Sequence, residues 1–162
     1  MRLFSSLLIL SLFVFGSCSN KHDNIVIYKE FPNNEWPRFD YLNGEFEITS
    51  PGEYDVVMEI IVGDEFPNTY EISRDDSTFP FNMTIKNPGD SGSRSKDFKY
   101  KLKDQDGNWK ADKVDGYYVY HLPVISEMTF GEKGTYRIKI ENKYPKDPMQ
   151  GIKSLTLKCI SK

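Results

Sequence analysis

Apolar and polar side chains alternate along much of the chain from Ile25 onward. In the segment GEFEITS, Phe46 and Ile48 alternate with polar residues, and TYRIKIEN is again apolar at every second residue. Alternation with a period of two predicts β-strands that bury one face. The segment YDVVMEIIV has apolar residues on both faces of the predicted strand, with Val57 and Ile61 on the second face. This predicts a strand that is covered on both sides. Further alternating runs are FPFNMTIKN, FKYKLK, YYVYHLPV and SLTLKCI.

Turn-forming residues separate these runs. Pro51-Gly52 and Asp106-Gly107-Asn108 are two of them, and no stretch of about ten residues or more has helical periodicity. The pattern predicts an all-β protein. We expect a single β-sandwich, jelly-roll or immunoglobulin-like, of about eight to nine antiparallel strands. The polar stretch NPGDSGSRSK, residues 87–96, predicts a loop.

The amino-terminal segment has a different pattern. Arg2 precedes an apolar run over residues 3–15, and two small residues then lead into Cys18. The run has the length of the apolar part of a secretory signal, and it is shorter than the roughly 20 residues that span a bilayer. An apolar run that ends in two small residues and a cysteine resembles a bacterial lipobox, in which the cysteine is lipidated and becomes the first residue of the mature chain. The alternative is an ordinary signal peptide that happens to end in a cysteine.

These features divide the chain into a lipoprotein signal peptide (residues 1–17), a lipidated tether (residues 18–24) and a β-sandwich domain (residues 25–162). Each buried CH₂ group of an acyl chain contributes about 0.8 kcal/mol to membrane binding, so several chains on one cysteine hold a protein firmly on a bilayer. We therefore expect a protein of the cell envelope. Its N-terminal lipid would anchor it to the inner or outer membrane, with the domain outside the cytoplasm.

The charge of the chain limits its classes of partner, and its cysteine content limits its disulfides. The chain has 21 basic and 24 acidic residues, a formal net charge of −3, which gives no electrostatic basis for binding nucleic acid. If Cys18 carries lipid, Cys159 has no other cysteine with which to form an intramolecular disulfide. Cys159 shares the parity of Leu155 and Leu157, so we predict that it is a small core residue.

Candidate catalytic groups are few. The two histidines are His22, in the tether, and His121, in a predicted strand. The sequence has no G-x-S-x-G nucleophile motif and no Cys/His cluster with zinc spacing. The acidic run around Asp104 and Asp106 lacks the spacing of an EF-hand calcium loop and is better explained as a β-turn. We therefore expect no catalytic site, no bound metal and no cofactor.

Some residues are candidates for a binding surface. Lys99, Lys101 and Lys103, with Lys96 nearby, form a row of like charges on one face of a predicted strand. Such a row is typical of a solvated outer face or a protected sheet edge, and it could instead contact an anionic glycan or lipid headgroups.

Aromatic and hydroxyl side chains supply two further hypotheses. Trp36 and Trp109 could stack on sugars, whereas the alternative is that both are packing residues, since tryptophan buries a large area. Ser77 lies in the segment Asp76-Ser77-Thr78, which resembles a short acceptor motif for O-linked glycans. The alternative for this segment is an ordinary acidic turn.

The order of several motifs resembles the gliding motility lipoprotein GldH family of Bacteroidetes. The resemblance spans most of the chain after the lipobox, and residues 63–76 form an insertion relative to the family pattern, so the chain is similar to a divergent member. The matching pieces are Trp36 with Phe46-Glu47-Ile48, Phe79-Pro80-Phe81-Asn82-Met83, the set Asp104, Gly107 and Trp109, the set Phe130, Gly134, Tyr136, Ile138 and Ile140, and Met149-Gln150-Gly151-Ile152.

This resemblance implies a lipoprotein without enzymatic activity. Its role would be structural or in assembly, associated with gliding motility and the linked type IX secretion machinery, and exercised through contacts with envelope proteins. The alternative, from another class, is a surface lipoprotein that binds glycans through exposed aromatic residues. Buried tryptophans together with an open sheet edge would favour a protein partner, and an exposed aromatic row beside a groove would favour a glycan.

Overall fold

The computed structural model of the protein describes residues 24–67 and 78–162. Within these residues the chain forms eleven strands and two short 3-10 turns. The strands in chain order are β1 (Asn24–Glu30), β2 (Glu35–Trp36), β3 (Leu42–Ile48), β4 (Gly52–Val62), β5 (Thr78–Lys86), β6 (Ser93–Lys101), β7 (Lys113–Val114), β8 (Tyr117–Phe130), β9 (Gly134–Asn142), β10 (Met149–Gln150) and β11 (Ile152–Ser161).

Two antiparallel sheets contain the long strands. The five-stranded sheet has the order β1-β11-β4-β8-β7 and the four-stranded sheet the order β3-β9-β5-β6, while β10 and β2 form a separate pair. The two sheets pack face to face, so the predicted all-β fold and β-sandwich are confirmed. Strands β2, β7 and β10 have two residues each, and the remaining eight agree with the predicted number.

The core lies between the two inner faces, as the alternating pattern predicts. On the central strand β4, Val56, Met58 and Ile60 are fully buried. Val57 and Ile61, on the opposite face, are only half-buried. The prediction that this strand is covered on both sides is therefore wrong, because its outer face is shielded only partly.

Aromatic rings fill the core where β3, β8 and β9 meet. Phe130 packs edge-on against Tyr136, with ring centroids 4.7 Å apart, and edge-on against Phe46 at 5.2 Å. Both separations lie in the range at which aromatic pairs add to the stability that burial provides. The high aromatic content of the chain is thus used mainly for packing between the sheets.

Residues 87–96 do not form the loop that their polarity predicted. The turn occupies residues 87–92, where the Asn87 amide donates to the Gly92 carbonyl at 2.8 Å, and β6 begins at Ser93. This strand pairs with β5 in unbroken register from Thr78↔Lys101 to Lys86↔Ser93. A polar segment can form a strand here because it lies at a sheet edge, where most of its side chains face solvent.

The strand directions give the sandwich two distinct ends. The amino-terminal end contains Asn24, the residue 87–92 turn and the connection between β8 and β9. The distal end contains residues 31–41, 102–116 and 143–151. Across residues 24–67 and 78–162, no helix is long and apolar enough to cross a membrane.

One side of the sandwich is closed by a close approach between β1 and β3. A Cβ atom added at Gly44, in β3, would lie 2.4 Å from the Val26 carbonyl oxygen and 2.6 Å from a side-chain carbon of Ile27. Real Cβ atoms do not come so close to a backbone oxygen, so a side chain at residue 44 would push the two edge strands apart. Glycine at this position therefore lets the two sheets meet along this side.

We predict that Gly44→Ala destabilises the protein by about 1–3 kcal/mol, the range typical of overpacked sites. The matched control is Gly131→Ala, since no atom lies within 4 Å of a Cβ built there. Urea unfolding of both variants measures the difference. Equal midpoints for the two variants would show that the contact between β1 and β3 is not tight.

Cys159 lies on the core face of β11, as predicted, and only 2% of its surface is exposed. Burial raises the pKa of its thiol to about 12. The thiolate is the reactive form of cysteine, so this residue acts as a small packing group rather than a nucleophile.

We expect a bulky maleimide to leave Cys159 unmodified in the native protein at pH 8 and to modify it in urea, with the labelled peptide identified by mass spectrometry. Cys159→Ala should cost about 1 kcal/mol. An unfolded cysteine ionises near pH 8.5, whereas the folded thiol stays protonated to about pH 12. Wild-type stability should therefore fall more steeply than that of Cys159→Ala as the pH rises above about 8.5. Rapid labelling of the native protein would contradict this.

Candidate functional site

Two of the predicted modification sites lie outside the described residues. These are Cys18, the predicted lipid attachment site, and Ser77, the candidate for O-glycosylation. Lipidation and glycosylation therefore stay predictions.

Trp36 is a packing residue. Its side chain is fully buried, its ring lies 5.2 Å from that of Phe31, and its indole Nε1 donates to the Asp40 carbonyl at 2.8 Å. The hypothesis that Trp36 contributes to an exposed binding surface is wrong. The β2–β10 pair explains why, since it fixes Trp36 opposite Met149 at the distal end of the core.

Lys103 does not continue the lysine row. Strand β6 ends at Lys101, and Lys103 forms a separate antiparallel bridge with Trp109. Its ammonium lies 4.1 Å from the centre of the Trp109 ring, and the residue is only 6% exposed. Desolvation lowers the pKa of Lys103, although the nearby Asp64 carboxylate acts in the opposite direction. Including Lys103 in an exposed surface is therefore wrong, because the strand alternation ends before this residue.

Trp109 is half-buried in the same cluster. Its ring stacks on Tyr118, with centroids 4.1 Å apart and planes inclined by 17°, and Phe66 lies 6.4 Å away. With one face on Tyr118 and the Lys103 ammonium over the ring, it contributes to packing and not to an open platform for sugars. The sequence held a signal for this pairing, since the predicted turn at residues 104–108 places Lys103 opposite Trp109.

The acidic run forms the predicted turn. One carboxylate oxygen of Asp104 accepts hydrogen bonds from the backbone amides of Asp106 at 2.9 Å and Asn108 at 2.8 Å. These bonds, the one from Asn108 first, lower the pKa of Asp104. Gly107 has a φ of 84°, which glycine adopts without strain. The carboxylate is thus occupied in shaping the loop.

The histidine in the described part of the chain, His121, lies beside a carboxylate. His121 is exposed on the outer face of the five-stranded sheet, with its Nδ1 3.4 Å from a carboxylate oxygen of Glu59. Within the described residues, no group of three or more His, Cys, Asp and Glu side chains is placed to hold a metal ion.

The basic residues of β6 lie on two faces. Lys99 and Lys101 are exposed on the outer face of the four-stranded sheet, as the sequence predicted. Lys96 instead has the parity of the buried Phe98 and lies opposite Met83 in β5, and Arg94 lies opposite Ile85. Arg94 and Lys96 therefore point towards the space between the sheets, where the five-stranded sheet no longer covers β6.

A groove of about 500 Å³ occupies this space. Its apolar lining comes from Met83, Ile85, Ile125 and Met128, and its rims from residues 94–96 of β6 and residues 126–129 of β8. It lies in the half of the sandwich nearer the amino-terminal end.

Tyrosine hydroxyls hold β6 and β8 together beyond the groove. Tyr100 donates to the Pro123 carbonyl at 2.8 Å, and Tyr120 donates to the Leu102 carbonyl at 2.6 Å. Burial raises the pKa of both hydroxyls above the value for an exposed tyrosine. The two edges therefore meet at their distal half and separate in the other half.

A second recess, of about 450 Å³, lies at the distal end of the four-stranded sheet. Phe39 and Tyr41 line it and are 74% and 44% exposed, and Lys139 lies 5.3 Å from the centre of the Tyr41 ring. The Arg38 guanidinium donates to the carbonyls of Tyr144 and Pro145, which fixes the opposite wall. Sequence reasoning missed these exposed aromatics because they lie in a short connection outside the alternating runs.

The strands define a β-sandwich domain that carries a groove on one side and a recess at its distal end. A match to the GldH lipoprotein family covers residues 25–159, nearly all of this domain, and the chain belongs to that family. The resemblance drawn from the sequence motifs is thus confirmed. The GldH lipoprotein family is not a known enzyme family. A comparison with individual curated proteins gives no match.

We predict that the basic residues near β6 differ in how much they contribute to the stability of the protein. Lys103→Glu should destabilise the protein by roughly 3 kcal/mol or more, because it places a carboxylate against the Trp109 ring in a buried position. Lys99→Glu with Lys101→Glu should change stability by less than about 0.5 kcal/mol, since both side chains face solvent. Thermal and urea unfolding provide the measurement. A Lys103→Glu variant as stable as the double variant would show that Lys103 is not a packing residue.

Proposed function

We propose that this protein is a lipid-anchored envelope lipoprotein with a structural or assembly role, associated through protein contacts with the gliding motility and type IX secretion machinery. The observation that carries the proposal is the GldH lipoprotein family match over residues 25–159. The family name supplies the lipoprotein class, and the proposed machinery is what the resemblance implies.

The geometry of the domain supports an anchor that leaves its binding surfaces accessible. The predicted tether spans residues 18–24, and its last residue, Asn24, starts β1. The part before Asn24 would reach about 20 Å when extended. The residue 31–41 and 143–151 connections lie at the opposite end of the sandwich. A domain held in this way would rest its amino-terminal end near the bilayer and leave its sides and its distal end open to partners.

The side chains support binding rather than turnover. Asp104 is engaged in its own turn, His121 is paired with Glu59, and the Cys159 thiol is buried and protonated. What the surface offers instead is a groove beside a sheet edge and a recess lined by two aromatic rings.

Glycan binding is the second candidate, and the Phe39–Tyr41 recess is the observation that favours it. Exposed aromatic rings beside polar and charged groups can stack on sugar rings while the polar groups hydrogen-bond to hydroxyls. The two tryptophans proposed for this role are engaged in packing, so Phe39 and Tyr41 replace them in this hypothesis.

The test is crosslinking in native membranes of the host, comparing the wild-type protein with Cys18→Ser. We expect the wild-type protein to be in the membrane fraction and to crosslink to components of the type IX secretion machinery. The Cys18→Ser protein should be in the soluble fraction and lose these crosslinks. A processed Cys18→Ser protein that stays in the membrane fraction would overturn the lipid anchor.

Phe39→Ala with Tyr41→Ala separates the two candidate functions. We expect this variant to keep the protein crosslinks of the wild type. If the wild-type protein crosslinks to no envelope protein but binds purified envelope polysaccharide, and the double variant does not bind it, glycan binding replaces the first proposal.

A further inference from the structure

The long sheet edges of the sandwich differ in how well they are protected. On one side, β1 and β3 approach closely at Gly44. On the other side, β8 carries Pro123, which has no amide hydrogen to donate, and a bulge that ends at Glu127, where φ is 56°. Proline and bulges are devices that block further strand pairing at an edge.

Strand β6 has neither a proline nor a bulge, and what opposes pairing along it is its charged side chains. Its nine residues, Ser93–Lys101, contain no proline and keep continuous register with β5. At about 3.3 Å per residue the strand offers an edge of roughly 30 Å. Among the long strands that the structure describes, this edge retains a regular geometry with which another strand can pair.

The edge is also strongly basic. Four of its nine side chains are Arg94, Lys96, Lys99 and Lys101, and its one acidic residue, Asp97, accepts a hydrogen bond from the Asn82 amide at 2.7 Å. Two copies of β6 paired with each other would bring like charges together, which is unfavourable. The charge therefore opposes self-association through this edge and favours an acidic partner.

Two of the four basic residues of β6 lie beside the groove. Arg94 and Lys96 lie on its β6 rim, above the apolar residues Met83 and Ile85. The acidic residue on the facing rim, Glu127, accepts a hydrogen bond from Lys162 at 3.0 Å. A ligand in the groove would lie next to Arg94 and Lys96, whereas Lys99 and Lys101 are on the opposite face of the strand. Arg94 and Lys96 should therefore contribute more to its binding.

We propose that β6 binds an extended acidic segment of another protein as an added strand, with its groove-side carboxylates next to Arg94 and Lys96. The added strand continues the four-stranded sheet beyond β6, and its alternate side chains enter the groove. Main-chain hydrogen bonds supply affinity in this mode of binding, and the side-chain positions supply specificity. The inference rests on the proposed function, because it assigns the contact surface of a protein partner.

The experiment uses the full-length lipoprotein in detergent micelles and a fluorescent nine-residue peptide of alternating glutamate and valine. Anisotropy measures binding to the wild type, to Arg94→Glu with Lys96→Glu, and to Lys99→Glu with Lys101→Glu. The last variant is the matched control, since it makes the same charge change on the outer face of the same strand. We expect the groove-side variant to bind at least about tenfold more weakly, about 1.4 kcal/mol, and the control to change affinity by less than about threefold.

A second peptide tests strand pairing itself. It has the same sequence with alternate amides N-methylated on the edge that would face β6, which removes the hydrogen-bond donors and keeps the charge. We expect it to bind at least about tenfold more weakly than the first peptide. Equal binding of the two peptides would overturn strand addition, and equal binding of the first peptide to wild type and groove-side variant would overturn the role of Arg94 and Lys96.

Two further controls keep the result interpretable. If thermal unfolding shows that the double glutamate variant is misfolded, Arg94→Gln with Lys96→Gln replaces it, with the same loss of binding expected. Vesicles of phosphatidylglycerol and phosphatidylcholine test a lipid ligand. Binding of the vesicles through Arg94 and Lys96, with no binding of the peptide, would overturn the proposal.

Crosslinking in native membranes separates this inference from the proposed function. Loss of envelope-protein crosslinks in the groove-side variant, with retention in the outer-face control, supports the inference. Crosslinks that persist in both variants overturn the inference and leave the proposed function standing. The proposed function itself fails if the wild-type protein forms no such crosslinks.

Discussion

The structure depends on the packing between the inner faces of the two sheets. This packing requires each strand to keep its apolar side chains on the inner face. Alternate side chains are buried from Val56 to Val62 in β4 and from Tyr136 to Asn142 in β9, and the backbone hydrogen bonds of these strands are satisfied by their neighbours in the sheet. A shift of one residue in any of these strands would move its apolar side chains to the solvent face. The register of the strands therefore specifies the sandwich. The requirement for a fixed register ends at the sheet edges.

The two sides of the sandwich differ in how the edges of the sheets meet. Along the β1–β3 side, a residue without a side chain lets the two sheets come together. Along the other side, Tyr100 and Tyr120 join the edges over one half and leave them apart over the other. Over the open half, Met83 and Ile85 remain buried at 2% exposure, and Ile125 is partly buried.

Much of this architecture could be predicted from the sequence, because burial of one strand face leaves a period of two. Cys159 is an example, since its parity with Leu155 and Leu157 placed it in the core. The pattern fails where a strand has no buried face or where a strand ends. The polarity of residues 93–96 predicts a loop because an edge strand has little apolar signal. Alternation places Lys103 in the lysine row because it does not show where the chain turns.

The candidate surfaces were less predictable than the fold, because they depend on which edges come together in space. Arg94 and Lys96 are far from Ile125 and Met128 in sequence, and their shared groove follows from strand order alone. Phe39 and Tyr41 gain their exposure from a short connection whose path no local pattern specifies. Trp36 illustrates the converse, since a residue type common at binding sites is fully buried here.

The antiparallel pairing of β1 with β11 has a mechanical consequence. The register runs from Asn24↔Cys159 to Glu30↔Ser154, with one shift at Val26, so the first strand of the domain is paired with the last over nearly its whole length. A force transmitted through residues before Asn24, along the axis of β1, would act at right angles to the hydrogen bonds of this ladder. Those bonds would be loaded together in shear rather than broken one after another. A domain joined to its anchor in this way resists extraction by tension better than one whose first strand could be peeled from the sheet.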